Sequence, residues 1–218
     1  MAKDIKPTDE QVAIIFNEIV RQYHLYPNNK PKVLIVSGVS GSGKSTFITA
    51  LLERNSLNFF PIQADDYRKL HPKIREFKEK YGFDEAHKKT GNFAHRFATE
   101  LLNETVKKGL NILYETTFGN IETANNLIHF FKEKKYEINI IALPSNVELS
   151  IERNKIRYQE KILAQSSLPR IVEREVIERM AVNYSQCIAQ LKADKQINLF
   201  EMQNISNTQA ILEKILDI

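Results

Sequence analysis

The stretch Gly38-Val39-Ser40-Gly41-Ser42-Gly43-Lys44-Ser45 decides the fold, because it matches the phosphate-binding pattern G-x-x-x-x-G-K-[ST], the P-loop. An apolar run, Lys32 to Ser37, precedes it, and a helical pattern, Thr46 to Leu52, follows it. In this context the backbone N–H groups of the loop surround phosphate oxygens, and the dipole of the helix adds favourable potential. We therefore predict that the chain binds a nucleoside triphosphate.

Individual positions of the loop have distinct expected roles. Lys44 is expected to reach the β- and γ-phosphates, and the hydroxyl of Ser45 to ligate Mg²⁺. The other predicted nucleotide contacts come from the loop and from the first turn of the helix, at Gly38, Ser40, Gly41, Ser42, Gly43 and Thr46. Since no motif that reads the base is visible, the expected nucleotide is ATP or GTP.

Hydrophobic patterning outside the loop alternates between strand and helix. The predicted strands are apolar runs typical of a parallel sheet buried on both faces, at 33–37, 59–63, 110–114, 138–143 and 196–200. The predicted helices are 8–23, 44–54, 93–107, 121–134, a long stretch 146–192 that breaks near Pro169, and 208–216. This alternation predicts an α/β three-layer sandwich with a mostly parallel sheet of about five strands.

Length and composition predict a single domain. The chain has 218 residues, which suits one domain over positions 1–218, and its 42% hydrophobic and 27% charged residues exclude wholesale disorder. No apolar run approaches the roughly 18 residues of a membrane span. The start, MAKDIKPTDEQ, is polar where a signal peptide would be apolar. We expect a cytoplasmic protein without membrane contact, whose net charge of +4 suits a polyphosphate ligand.

Two classes of P-loop protein are disfavoured. A GTPase reads guanine through N-K-x-D, but the only candidate, Asn154 to Arg157, ends in arginine. A motor ATPase normally ends its Walker B strand in an acidic pair, whereas the run 110–114 is followed by the single carboxylate of Glu115 and then by threonines. The pattern therefore favours a compact kinase.

A kinase needs a carboxylate that accepts the proton of the acceptor hydroxyl opposite the γ-phosphate. Such residues lie at the carboxyl ends of strands in an open α/β sheet, and the run 59–63 is followed by Asp65, Asp66 and Arg68. We predict that Asp65 is the general base and that Arg68 contacts the substrate. Asp66 is predicted to cap the next helix and to line the substrate site. The alternative is that both aspartates only cap that helix.

The segment after this strand resembles the zeta-toxin family of P-loop kinases. It reads Ile62-Gln63-Ala64-Asp65-Asp66-Tyr67-Arg68, followed by His71-Pro72. Further matches follow in order over positions 32–183, at Arg96 with Glu100, at Leu113-Tyr114-Glu115-Thr116-Thr117, and at Ile151-Glu152-Arg153. No single motif after the P-loop is specific, but their order and spacing together are.

The resemblance implies a kinase that phosphorylates the 3′-hydroxyl of the amino sugar in UDP-N-acetylglucosamine and thereby poisons peptidoglycan synthesis. It also implies a separate antitoxin, a small helical protein that blocks the nucleotide site. Asp65 would activate the hydroxyl and Lys44 would bind phosphate. The remaining implied site residues are the substrate-pocket residues Glu100, Glu115 and Thr117, and two arginines of a closing lid, Arg153 and Arg170.

Charge supports a helical lid in this region. Positions 153–180 hold seven basic and four acidic residues, an excess of three that suits a cover over a triphosphate. Arg153 and Arg157 are four residues apart and share one helix face. A solvated helix with scattered charge is an equally good interpretation of Arg157, but a poorer one of Arg153.

Two other functions stay open. Asp65 to Arg68 also resembles the acceptor-side motif of polynucleotide 5′-hydroxyl kinases, although no dense basic tract indicates nucleic-acid binding. In a nucleotide-dependent binding module, ATP would report to a partner and no acceptor would be phosphorylated. The five histidines show no metal-ligand spacing and are interpreted as structural or surface residues: His24, His71, His87, His95 and His129.

Overall fold

The computed structural model describes residues 5–53, 57–164, 168–202 and 213. Within these ranges the strands are β1 Lys32–Ser37, β2 Phe60–Ile62, β3 Ile112–Thr116, β4 Glu137–Ala142 and β5 Ile197–Glu201. They form one sheet in the order β2-β3-β1-β4-β5, with every pairing parallel. The predicted α/β fold with a parallel sheet of about five strands is confirmed, and each strand ends within two residues of its expected limits.

Helices precede, connect and cover these strands. They are α1 Asp9–Gln22, α2 Lys44–Leu52, α3 Ile74–Lys107, α4 Ile121–Glu133, α5 Val147–Ala164 and α6 Arg174–Lys192, with a 3₁₀ helix at Ala64–Leu70. The capping box of Thr8 and Gln11 begins α1, and the expected break near Pro169 separates α5 from α6. The helix expected at 208–216 lies outside the described residues apart from position 213, which is helical.

The helix predicted at 93–107 is only the second part of α3. The first part begins at Ile74 and is kinked at Gly82, whose φ of +76° and ψ of 179° are not helical. Its buried residues begin only at Ala86, and the stretch before that position is mostly polar. Its few apolar residues, such as Ile74 and Phe77, are only partly buried, so the helical signal there is weak. No helix in the described part of the chain is long and apolar enough to cross a bilayer.

The sheet is buried on both faces, as continuous apolar runs predict. Val33, Leu34, Ile35 and Val36 of β1 are fully buried, with alternate residues contributing to the two hydrophobic clusters on opposite faces. Because all strands are parallel, the carboxyl ends of β1, β2 and β3 meet at one edge. The P-loop, the 3₁₀ helix and Glu115 therefore lie close together.

Candidate active site

The P-loop connects β1 directly to the start of α2. Gly41 has a φ of +83°, in the left-handed region that favours glycine, and Gly43 is the N-cap residue of α2. No side-chain hydrogen bond caps this helix. The N–H groups of its first turn have no partner within the helix, so they can bind an anion such as a phosphate group.

Lys44 is buried at the mouth of the loop, where it is 7% exposed. Its Nζ donates to the carbonyl oxygens of Gly38 at 2.8 Å and Val39 at 3.0 Å, and lies 4.0 Å from Glu115 Oε1. Burial lowers the pKa of Lys44 to about 8, although the charge of Glu115 opposes this shift. The side chain is still mostly cationic at neutral pH, as a phosphate-binding lysine must be.

The expected metal ligand, Ser45, lies exposed in the first turn of α2, as does Thr46. The described residues contain no group of three or more His, Cys, Asp or Glu side chains able to hold a metal ion. A single hydroxyl beside a phosphate cradle fits Mg²⁺, which is usually held by one or two protein groups together with substrate phosphates and water. The role of Ser45 stays a prediction.

Asp65 lies in the 3₁₀ helix after β2 and is bound by Arg68. Arg68 Nε donates to Asp65 Oδ1 at 2.7 Å, and its NH1 donates to the carbonyl oxygen of His87 at 2.5 Å. A Cβ added to Gly91 would lie only 3.2 Å from that NH1, so α3 closes tightly over the guanidinium. Burial raises the pKa of Asp65, but Arg68 outweighs it and holds the pKa below its ordinary value.

Asp66 does not cap the helix, and this prediction is wrong. The N-cap residue of the 3₁₀ helix is Gln63, and Asp66 Oδ2 accepts instead from Gln63 Nε2 at 3.3 Å. The chain enters the helix directly from β2, which places the cap before the aspartates. The alternative that Asp65 and Asp66 only cap this helix is wrong for the same reason. Burial raises the pKa of Asp66.

A cavity of about 270 Å³ lies beside the two aspartates. Its walls come from the 3₁₀ helix, the first part of α3, α5 and the segment between α5 and α6, and are formed by Asp65, Asp66, Arg68, Lys69, Ile74, Lys78, His87, Arg157, Tyr158, Lys161, Leu168 and Arg170. Six lysines and arginines thus surround two carboxylates. Such an excess of positive charge suits a phosphoryl group during transfer.

Arg157 and Arg170 line this cavity, whereas Arg153 does not. Arg153 is exposed, and its NH1 lies 3.5 Å from the carbonyl oxygen of Gly41 on the P-loop. Burial lowers the pKa of Arg170, and the charge of Asp65 opposes the shift. The catalytic roles predicted for Arg153 and Arg170 stay predictions. Arg157, which lies four residues from Arg153 on the same helix, is therefore a further arginine of the cavity wall.

The other predicted substrate residues are dispersed. Glu115, at the end of β3, lies beside Lys44, and burial raises the pKa of its carboxyl although Lys44 opposes this. Thr117 follows β3, and its Oγ1 would lie 3.4 Å from a Cβ on Gly119. Glu100 is exposed on α3. None of the three lines the cavity.

His87 is a cavity residue that the sequence interpretation missed. Its side chain is buried, and its Nε2 lies 4.0 Å from Asp65 Oδ1. Burial, together with the charge of Arg68, lowers the pKa of His87 to about 4, so the imidazole is neutral at neutral pH. No spacing pattern marks this residue, because α3 brings it to Asp65 from 22 positions further along the chain.

Two known proteins are similar to this chain in sequence. Toxin PezT of Streptococcus pneumoniae serotype 4 (strain ATCC BAA-334 / TIGR4) is 22% identical over 201 residues, covering 87% of this chain and 79% of that protein. Toxin zeta of Streptococcus pyogenes is 23% identical over 191 residues, covering 84% of this chain and 66% of that protein.

A solved structure from the PezAT chromosomal toxin-antitoxin system of Streptococcus pneumoniae superimposes with a TM-score of 0.69. It is 22% identical, and the match covers 90% of this chain and 78% of that chain, which shows a shared fold. The family model described as "Zeta toxin" matches residues 17–213, nearly the whole sequence. The chain belongs to the zeta-toxin family.

Proposed function

We propose that the protein is a kinase that transfers the γ-phosphate of ATP to a hydroxyl of a sugar nucleotide. The observation that carries this proposal is the cavity in which Asp65 meets Arg157 and Arg170. The charges of Arg157, Asp65 and Arg170 all act on Lys44, so the P-loop lysine lies within electrostatic reach of the same cavity. A carboxylate that shares a cavity with two arginines, within electrostatic reach of a phosphate-binding lysine, suits phosphoryl transfer.

In the proposed reaction, the acceptor oxygen forms a bond to the γ-phosphorus as the bond to the β–γ bridging oxygen breaks. The carboxylate of Asp65 takes the proton of the hydroxyl, and ADP leaves with the electron pair of the broken bond. Arg157 and Arg170 stabilise negative charge on the phosphoryl oxygens, while Lys44 holds the triphosphate. The hydroxyl of Ser45 would help to hold Mg²⁺ with the nucleotide, where the bound ion would neutralise charge on the phosphates.

The proposed acceptor is UDP-N-acetylglucosamine, phosphorylated at the 3′-hydroxyl of its sugar, in the cytoplasm. Membership of the zeta-toxin family supports this choice. Lys69, Lys78 and Lys161 on the cavity wall also suit an acceptor that carries its own phosphates. Because PezT belongs to a toxin-antitoxin system, we further propose that this chain is a toxin with a separate antitoxin partner.

The test is transfer of labelled γ-phosphate from ATP with Mg²⁺, with UDP-N-acetylglucosamine and a 5′-hydroxyl oligonucleotide offered in parallel. We expect label on the sugar nucleotide, lost in Asp65→Asn and retained in the matched control Asp84→Asn, which changes an exposed carboxylate of α3. Label only on the oligonucleotide would favour a polynucleotide kinase. ATP binding with label on neither acceptor would favour a binding module.

A further inference from the structure

Asn154 is a buried polar residue that the proposed chemistry does not use. It lies in the middle of α5 and is 2% exposed. Asparagine is a poor helix former, because its side chain competes for backbone hydrogen bonds, and a buried amide is costly unless both its ends are paired. Its presence at this position therefore calls for specific partners.

The partners of Asn154 come from two functional elements. Ser40 Oγ, in the P-loop, donates to Asn154 Oδ1 at 3.0 Å, and Arg157 NH2 donates to the same oxygen at 2.9 Å. Asn154 Nδ2 donates to the carbonyl oxygen of Ser150 at 2.8 Å, which fixes the orientation of the amide. One side-chain oxygen thus joins the phosphate cradle to an arginine of the cavity.

Close packing accompanies these hydrogen bonds. A Cβ added to Gly41 would lie 2.5 Å from Ser150 O and 2.7 Å from Asn154 Nδ2, so the P-loop rests directly on this turn of α5. Ser40 and Ser150 are 5% and 1% exposed. The P-loop and this turn of α5 are packed too closely to shift independently. We therefore expect a change in the position of Ser40 or Gly41 to displace Asn154 as well.

We propose that Asn154 is a positioning residue that couples the conformation of the P-loop to the orientation of Arg157 in the transfer cavity. This inference rests on the proposed kinase function. Oδ1 of Asn154 holds the guanidinium where it meets the transferring phosphoryl group, and the hydrogen bond from Ser40 to the same oxygen ties this position to the P-loop. Because Asn154 is buried, we assign it to positioning and not to direct contact with the nucleotide or the acceptor.

The test compares Asn154→Ala, Arg157→Ala and the double variant in phosphate transfer, with the dissociation constant of ATP measured separately. Losing a hydrogen bond to a charged group predicts that Asn154→Ala lowers kcat by about tenfold or more, with little change in ATP affinity. Because Asn154 acts through Arg157, we expect the double variant to be no slower than Arg157→Ala alone. Additive losses, or loss of ATP binding instead of kcat, would overturn the proposal.

Two further variants separate positioning from folding. Asn154→Asp keeps an oxygen acceptor for Ser40 and Arg157 but replaces the donor to the Ser150 carbonyl with a second acceptor. It is therefore expected to be faster than Asn154→Ala but slower than the wild type. Asn139→Ala removes a buried asparagine of β4 that bonds Glu137 and Asn198, and is expected to lower the melting temperature without lowering kcat per folded molecule. If Asn139→Ala lowers kcat as much as Asn154→Ala, the effect is general destabilisation and the proposal fails.

Hydrogen exchange distinguishes failure of this inference from failure of the proposed kinase function. ATP is expected to slow amide exchange in α5 of the wild-type chain, and not in Asn154→Ala, whether or not an acceptor is phosphorylated. Equal slowing in both proteins would reject the coupling. Slowing in the wild type alone, with no transfer to any acceptor, would retain the coupling and reject the kinase.

Discussion

Arg68 donates from Nε to Asp65 Oδ1 across 2.7 Å, so a buried cation holds an accessible carboxylate. The side chain of Arg68 is 9% exposed and that of Asp65 is 63% exposed. The guanidinium is itself bound by the carbonyl of His87, which ties the 3₁₀ helix to α3. Arg68 was expected to contact substrate, but its hydrogen bonds give it a second task, which is to orient the proposed base.

The Asp65–Arg68 pair predicts a shift in the pH dependence of transfer. Arg68 holds the pKa of Asp65 below its ordinary value, and the charged carboxylate is the form that accepts a proton. Arg68→Gln should therefore raise the pKa of Asp65 and move the acid limb of kcat/KM to higher pH. A pH–rate profile measures this, with Arg75→Gln, an exposed arginine of α3, as control. An unmoved acid limb would contradict the role given to Arg68.

The same pair makes a prediction about stability. A carboxyl whose pKa is lowered on folding stabilises the native state above its unfolded pKa, and this contribution is lost as the pH falls through the folded pKa. The wild type should therefore melt at a higher temperature than Arg68→Gln at neutral pH, and the difference should shrink in acid. A difference that grows as the pH falls would be the opposite of this expectation.

Substitution of Lys44 should weaken ATP binding, whereas substitution of Asp65 should slow the transfer step. Lys44→Met removes the ammonium that the triphosphate is expected to meet, so ATP affinity should fall by about tenfold or more. Asp65→Asn should bind ATP as the wild type does, yet lose about 10²- to 10⁴-fold in kcat. Titration calorimetry and single-turnover transfer measure the two quantities. If Asp65→Asn transferred phosphate at the wild-type rate, Asp65 would not be the general base.

The two arginines of α5 should differ in their kinetic effect. Arg157 lines the cavity with Asp65, while Arg153 lies against the carbonyl of Gly41. Arg157→Ala should lower kcat by about 10³-fold, the usual effect of losing an arginine at a transferring phosphoryl group. Arg153→Ala should change kcat less. Steady-state kinetics decides between them, and a larger kcat loss in Arg153→Ala would support the catalytic role that the sequence resemblance implies for Arg153.

Two glycines with positive φ give a matched pair for stability. Gly41→Ala and Gly82→Ala each place a side chain in unfavourable backbone geometry, at a cost of about 1–3 kcal/mol. A Cβ at Gly82 meets nothing within 4 Å, whereas one at Gly41 would overlap Ser150. Thermal melting should therefore show the larger loss in Gly41→Ala. Equal losses would mean that the P-loop moves away from α5 easily.

Local patterns predicted the strands and the phosphate cradle because their causes are local. A strand buried on both faces must be apolar throughout, and a loop that wraps phosphate needs glycines and a lysine at fixed spacing. The first part of α3 gave only a weak signal, since it is mostly polar before the kink at Gly82 and its buried face begins only at Ala86.

The walls of the cavity depend on how distant segments pack. Arg153 and Arg157 share a helix face, and spacing alone could not tell which one enters the cavity. The contact of Asn154 with Ser40 sets the rotation of α5, and it joins residues 114 positions apart. His87 was missed for the same reason, since its proximity to Asp65 depends on the packing of α3 against the 3₁₀ helix.

The packing of Gly41 on Ser150 has a consequence for the order of events during synthesis. All eight residues of the P-loop motif leave the ribosome long before α5 has been translated. Domains generally fold as units during translation, so the loop reaches its final shape only when the helix that supports it has docked. A growing chain therefore carries the phosphate-binding motif for more than a hundred residues of elongation before that motif is a finished binding site.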